Sequence, residues 1–462
     1  MEKLTKKFGL FTAICMVAGI VIGSGVFFKA TPVFANNGGN MLKSFITVAI
    51  VGLLMTICAY TFSILAGRYA KINGLVDYAE EILGDRYAYT VGWFMSAIYY
   101  PVIASTLAWV SSNYTCSLFE IDNANVRLLI TAGYLILSFL LNVISPKLSG
   151  KFQISTTVIK LIPLAVMAIG GTIVGISNGQ TMENLAGDTL DIAASTGGTG
   201  LFGAIVAFAF AYEGWIIATC INAELHNAKR NLPRALIIGT TLTMIVYLIY
   251  FLGVSSVLST EEIISAGNDL PKIAFTSLFG GNAIFGTIVY VFIIISCLGT
   301  MNGVMLATCR GFYSLAARGQ GPSPISISHL GKRSNMPIKS SLIGFAITIV
   351  WMLQWEFGLI RGKLPAIISF ENDELPIITL YAFYIPIFIS MMIKCKDLKP
   401  IKRFVFPSLS ICACIFMIYC AFKAYQIQAI YYLLVFAVIM IIGACFFRDK
   451  KGKSAIYRLF YR

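Results

Sequence analysis

The chain of 462 residues is 58% hydrophobic and only 12% charged, where soluble domains carry roughly a quarter charged residues. That balance excludes a soluble enzyme or regulator and points to an all-α polytopic membrane protein. The net charge of +14 invites a nucleic-acid partner, but the basic residues are sorted by loop, which removes that reading.

Hydropathy gives twelve spans, approximately 8–28, 42–66, 88–118, 126–145, 152–176, 200–222, 235–258, 281–309, 339–355, 374–393, 404–423 and 426–447. The loops between them are too short for a soluble domain. With the N-terminus placed in the cytoplasm, 27 of the 35 Lys and Arg fall in cytoplasmic segments and 7 outside. This imbalance follows the positive-inside rule and predicts a multi-pass cell-membrane protein with both termini cytoplasmic. Two charged residues remain at membrane depth, Lys160 and Glu213.

Span 1 carries GIVIGSGVFF over 19–28. Gly23-Ser24-Gly25 lowers helix propensity in mid-span, and a break there frees backbone N–H and C=O groups that lipid cannot satisfy but a polar solute can. Close packing of a neighbouring helix on the glycines is the other reading. After span 2, Asp77, Glu80 and Glu81 lie at helical spacing on a cytoplasmic loop and are expected on a solvated helix face. Span 3 is aromatic, with Tyr99, Tyr100 and Trp109, suited either to a wet wall or to plain packing.

Span 5 places Lys160 about two turns in, where a lysine costs ~2.5–3.5 kcal/mol on insertion scales and needs a partner. Span 6 reads LFGAIVAFAFAYEGWIIATCINAEL, with Glu213-Gly214 interrupting Phe208, Phe210, Tyr212 and Trp215. Breaks five spans apart lie in oppositely oriented copies, the sign of an inverted repeat with its site at the interface. The expected division is a first five-span repeat over 1–176, a second, inverted one over 177–394, and two extra spans with a basic tail over 395–462.

Span 8 carries Ser296, Thr300 and Asn302, with Arg310 and Arg318 at its cytoplasmic end. Span 10 follows an acidic outer segment (Glu371, Asp373, Glu374) and carries Tyr381 and Tyr384. The tail RDKKGKSAIYRLFYR suits anionic lipid. Eleven cysteines show no paired metal-ligand spacing, and both histidines, His226 and His329, fall in cytoplasmic loops. No metal, cofactor or catalytic centre is therefore expected.

GSGVF in span 1, FAYEGW followed by AELHNAKRNLPRA in span 6, and SCLGTMNGVMLATCRGFYSLAARGQGP in span 8 together resemble the amino acid–polyamine–organocation transporter superfamily. The likeness is to its L-type amino acid transporter and bacterial exchanger branches, over spans 1 to 10. It implies a five-plus-five inverted fold with broken helices 1 and 6, and an amino acid as cargo. Carried over by position, Ser24, Gly25 and Val26 would meet the substrate carboxylate, which a helix N-terminus favours. Carbonyls at Val21, Ser24, Phe210 and Glu213 would meet the ammonium, and Phe210 would form an aromatic gate.

Lys160 matches a lysine of sodium-independent members, its ammonium standing in for a sodium ion with Ser296 or Thr300 as partner. Glu213 departs from the glycine of close relatives and would attract a cationic side chain, accept a proton, or pair with Lys160. The resulting expectation is a sodium-independent carrier of L-amino acids, neutral ones first, working by exchange or coupled to protons. The alternative is a cationic amino acid or polyamine carrier. No obligatory protein partner is expected.

Overall fold

The computed structural model describes residues 5–23, 25–69, 71–186 and 200–448; Ser24 and the basic tail past Arg448 lie outside the described residues. Among the described residues, twelve helices are long and apolar enough to cross a membrane. The chain is a multi-pass membrane protein. Ridges of isoleucine, leucine and valine face outward along these helices, as on span 4 (Leu129, Ile136, Leu137) and span 12 (Leu434, Val438, Ile441). Such a surface is stable only against lipid.

Span 1 is the centre of the bundle. It packs against spans 5, 6, 7 and 8, while span 2 runs along span 7 and span 3 along span 8. The first helix runs Leu10–Val21 and stops; a short turn of helix, Gly25–Phe28, then continues toward the far side, followed by Ala30–Asn36. Span 6 stops in the same way at Tyr212 and resumes as a 3₁₀ segment, Trp215–Glu224.

Several helices extend past the hydropathic runs, because charged residues at their ends are paired inside the protein. Span 6 reaches Glu224 and span 8 reaches Ala316. Glu224 is fully buried against Arg310, itself 2% exposed, and also accepts from Lys7 at 3.3 Å. The N-terminal segment closes over this pair, with the Lys7 and Phe8 amides donating to the Glu224 carbonyl. Lys160 and Glu213 are thus not the sole charges buried in the crossing helices, because attraction within the Glu224–Arg310 pair offsets the desolvation cost that a lone ion would bear uncompensated.

The expectation of a solvated acidic face on the 2–3 loop is corrected as well. Asp77 is fully buried on the helix Gly74–Leu83. It accepts from the backbone N–H groups of Lys71, Ile72 and Asn73, from Asn222 at 3.1 Å, and from Arg318 of span 8. Burial raises its pKa, and Arg318 and the three amides pull against that rise. Glu80 is the more solvated neighbour and still pairs with Arg318 at 2.9 Å.

Candidate functional site

The break in span 1 follows from its residues. Ile22 leaves the helix with ψ near 87°, its amide still donating to Ala18 at 2.7 Å, and the chain turns through Gly23. Gly25 faces Ala211 so closely that a Cβ there would lie 2.7 Å from the Ala211 Cα. Span 6 breaks where Gly214 takes a φ of +100°, a left-handed conformation that side chains resist. A Cβ on Gly214 would stand 2.7 Å from the Ile20 side chain, so each break is fitted against the other helix.

The carbonyls freed by the first break are gathered by polar groups from other spans. Lys160, fully buried on span 5, donates to the Gly19 carbonyl at 2.8 Å, the Ser296 carbonyl at 3.1 Å, the Thr300 hydroxyl at 3.0 Å and the Ile22 carbonyl. Thr300 itself donates within reach of Gly19 and Ile22, and Ser296 donates to Gly23 at 3.1 Å. The ammonium, carried by span 5, therefore sits in a cage of oxygens from spans 1 and 8, none of them a carboxylate. Tyr247 of span 7 ties the two breaks together, its hydroxyl lying 2.9 Å from the Val21 carbonyl and 3.0 Å from that of Ala211.

Between the breaks lies a small cavity of about 20 Å³, walled by Ile20, Val21, Gly23, Gly25, Phe210, Glu213 and Thr300, with Ile103 and Leu107 of span 3 opposite. It holds about one water-sized molecule as it stands, so its walls must part to admit anything larger. Glu213 accepts from the Tyr99 hydroxyl at 2.6 Å and the Tyr381 hydroxyl at 2.9 Å, and its own next amide, Gly214, lies at 3.3 Å. A pairing of Glu213 with Lys160 does not occur: the two side chains serve separate networks. Both networks are chemistry for holding charge in place, with opposed backbone dipoles across a closed pocket and no nucleophile–base pair.

The sequence matches the model for a family described as amino acid permease over residues 8–445. The chain belongs to the amino acid permease family. Among its curated relatives, the serine/threonine exchanger SteT of Bacillus subtilis (strain 168) is 29% identical over 402 residues, covering 87% of this chain and 86% of the relative. The cystine/glutamate transporter of Homo sapiens is 24% identical over 425 residues, 90% of this chain and 80% of the relative. The b(0,+)-type amino acid transporter 1 of Rattus norvegicus is 26% identical over 422 residues, with coverage of 90% and 82%. The permease is a membrane transporter of the amino acid–polyamine–organocation superfamily, near its L-type branch, and not an enzyme.

Of the site residues read from the sequence, the permease brings Val21, Gly25, Phe210, Glu213 and Thr300 to one cavity, with Lys160 and Ser296 directly behind it. Val26 is buried in the turn that follows. Ser24 lies outside the described residues. The Val21 carbonyl is already occupied, by Tyr247 and by the Gly23 amide at 2.8 Å, and the Phe210 carbonyl accepts from the Glu213 amide at 3.1 Å. In this conformation these two residues supply walls rather than open acceptors. Tyr247, which joins the breaks, went unnoticed in the sequence because a tyrosine among apolar neighbours has no marker there. Lys29 follows the apolar run of span 1 and caps the helix Ala30–Asn36, where hydropathy alone places a loop.

Proposed function

We propose that the permease is a secondary active carrier of L-amino acids, neutral ones preferred, that needs no sodium and works by alternating access. The observation that carries this reading is the Lys160 ammonium of span 5 held by oxygens of spans 1 and 8 behind the broken segment of span 1. A hard monovalent cation in that cage would brace the same carbonyls, and a fixed ammonium leaves no room for it. The amides at Ser24, Gly25 and Val26 receive the substrate carboxylate and the carbonyl ends of the two breaks receive the ammonium. Two half-sites on opposed helices suit a zwitterion. Exchange and proton coupling both fit this scheme.

The inverted five-plus-five repeat is proposed on the same footing, supported by equivalent breaks in spans 1 and 6 and by the pairing of spans 2 with 7 and 3 with 8. Cytoplasmic termini in the cell membrane follow from the charge imbalance. A specific observation favours a second reading, a cationic cargo: among the described residues, Glu213 reaches the cavity wall held by hydroxyls and an amide, with no cationic side chain lining the cavity.

The test is a panel of radiolabelled amino acids in proteoliposomes. Saturable uptake, stimulated by unlabelled neutral amino acid on the far side, is expected. Preferential uptake of arginine or a polyamine would establish the second reading, and unsaturable or purely ohmic flux would overturn both.

A further inference from the structure

On the far side of Phe210 from the cavity lies a cluster that the transport scheme above does not use. Lys29 directly follows span 1, at the start of the helix Ala30–Asn36, and is only 8% exposed. Its ammonium donates to Asp373 at 3.1 Å and to Glu374, both 344–345 residues away beside span 10. It also stands 5.0 Å from the Phe210 ring centroid and 5.1 Å from that of Phe28, and the two rings are 6.2 Å apart. Glu374 accepts in turn from Tyr425 of span 11. One cation thus lies over the face of the aromatic lid of the cavity and donates its N–H groups to two acids beside another span. A cation over an aromatic face binds it more strongly when desolvated, and this one is nearly dry.

We propose that Lys29 is a positioning residue that latches the outer gate: held by Asp373 and Glu374, its ammonium pins Phe210 over the cavity, and opening to the outside breaks that set of contacts. Removing the charge frees Phe210 and shifts the population toward the outward-open form, since the latch exists in one state and not in the other. A merely structural ion pair would lower stability without favouring either face. The inference rests on the alternating-access reading and on the outer placement of this end.

The experiment introduces Leu107→Cys on the cavity wall and measures its modification by a membrane-impermeant maleimide, in right-side-out and inside-out vesicles, with the parent chain as blank for its own cysteines. Lys29→Met is expected to speed labelling from the outer face on the order of tenfold and to slow it from the inner face, while Lys29→Arg stays within about twofold of the parent. Equal labelling in Lys29→Met and parent, or an equal rise on both faces, overturns the latch. If Lys29→Met does not reach the membrane, the pair Asp373→Asn with Glu374→Gln carries the same expectation and the same failure. Labelling that rises only in inside-out vesicles contradicts the assigned orientation rather than the latch. No reactivity from either face in any variant overturns the latch and the alternating-access reading, a result that the amino acid panel separates by its own uptake.

Discussion

Glu213 and Tyr247 hold the cavity in complementary ways, one by accepting from two hydroxyls and one by bridging the breaks. Glu213→Gln keeps the shape and replaces an acceptor pair with a carbonyl and an amide, so one of Tyr99 and Tyr381 loses its acceptor. Competition of uptake by arginine against alanine is expected to shift toward alanine; identical profiles in both proteins would remove Glu213 from selectivity. Tyr247→Phe deletes the hydroxyl whose single proton is shared between the Val21 and Ala211 carbonyls, a loss of about 1 kcal/mol. An uptake loss of about tenfold at unchanged expression is predicted.

Outside the spans, burial first and the Asp373 carboxylate second push Glu371 up to about 8, against the pull of Lys29. The folded protein therefore holds a proton that the unfolded chain releases above its ordinary 4.5. The stabilisation is full below that value and is lost as pH rises through about 8. Beyond it, Glu371, Asp373 and Glu374 crowd one ammonium, with Tyr425 facing them. Thermal stability is predicted to fall between about pH 4.5 and about pH 8 and Glu371→Gln to flatten that fall; parallel slopes would contradict the assignment. Lys29 itself stays charged throughout: burial favours losing the proton, but Asp373 and Glu374 outweigh it and raise its pKa.

At the scale of elements, the two breaks stand or fall on glycine. Gly214 combines a φ of +100° with the Ile20 contact, so Gly214→Ala meets both backbone strain and a clash. Gly25→Ala pushes against the backbone of Ala211, which cannot rotate away. Each is expected to abolish uptake, and Gly25→Ala to do so while the protein still reaches the membrane; normal transport by either would mean that the breaks need no such fit.

The number of spans and both break positions were legible because unbroken apolar runs and mid-span glycines are local signals. Lys160 and Glu213 stood out for the same reason, as charges without neighbours in sequence. The ends of the helices were not legible. Glu224 finds Arg310, Asp77 finds Arg318 and Lys29 finds Glu374 only through the fold, so each looked like an ordinary loop charge. Tyr247 was hidden by its type, and Asp77 by its helical spacing, which an exposed face shares.

Across the whole molecule, buried ion clusters flank the cavity on two sides. At one end stand Lys29, Asp373 and Glu374, and at the other Lys7, Glu224 and Arg310 together with Arg318, Asp77 and Glu80. Opening at either end separates these buried ions from their partners, so the lost attraction must be offset by hydration, by binding or by new contacts. Between the two stands the Lys160 cage, and on it the account turns. Sodium dependence of amino acid uptake in proteoliposomes, compared between the natural protein and Lys160→Ala, tests it most directly. Equal uptake by the natural protein with and without sodium, and uptake by Lys160→Ala below about a tenth of that level, are predicted for an ammonium that braces the broken helix. Uptake that requires sodium, or a Lys160→Ala protein as active as its parent at every pH, would contradict it.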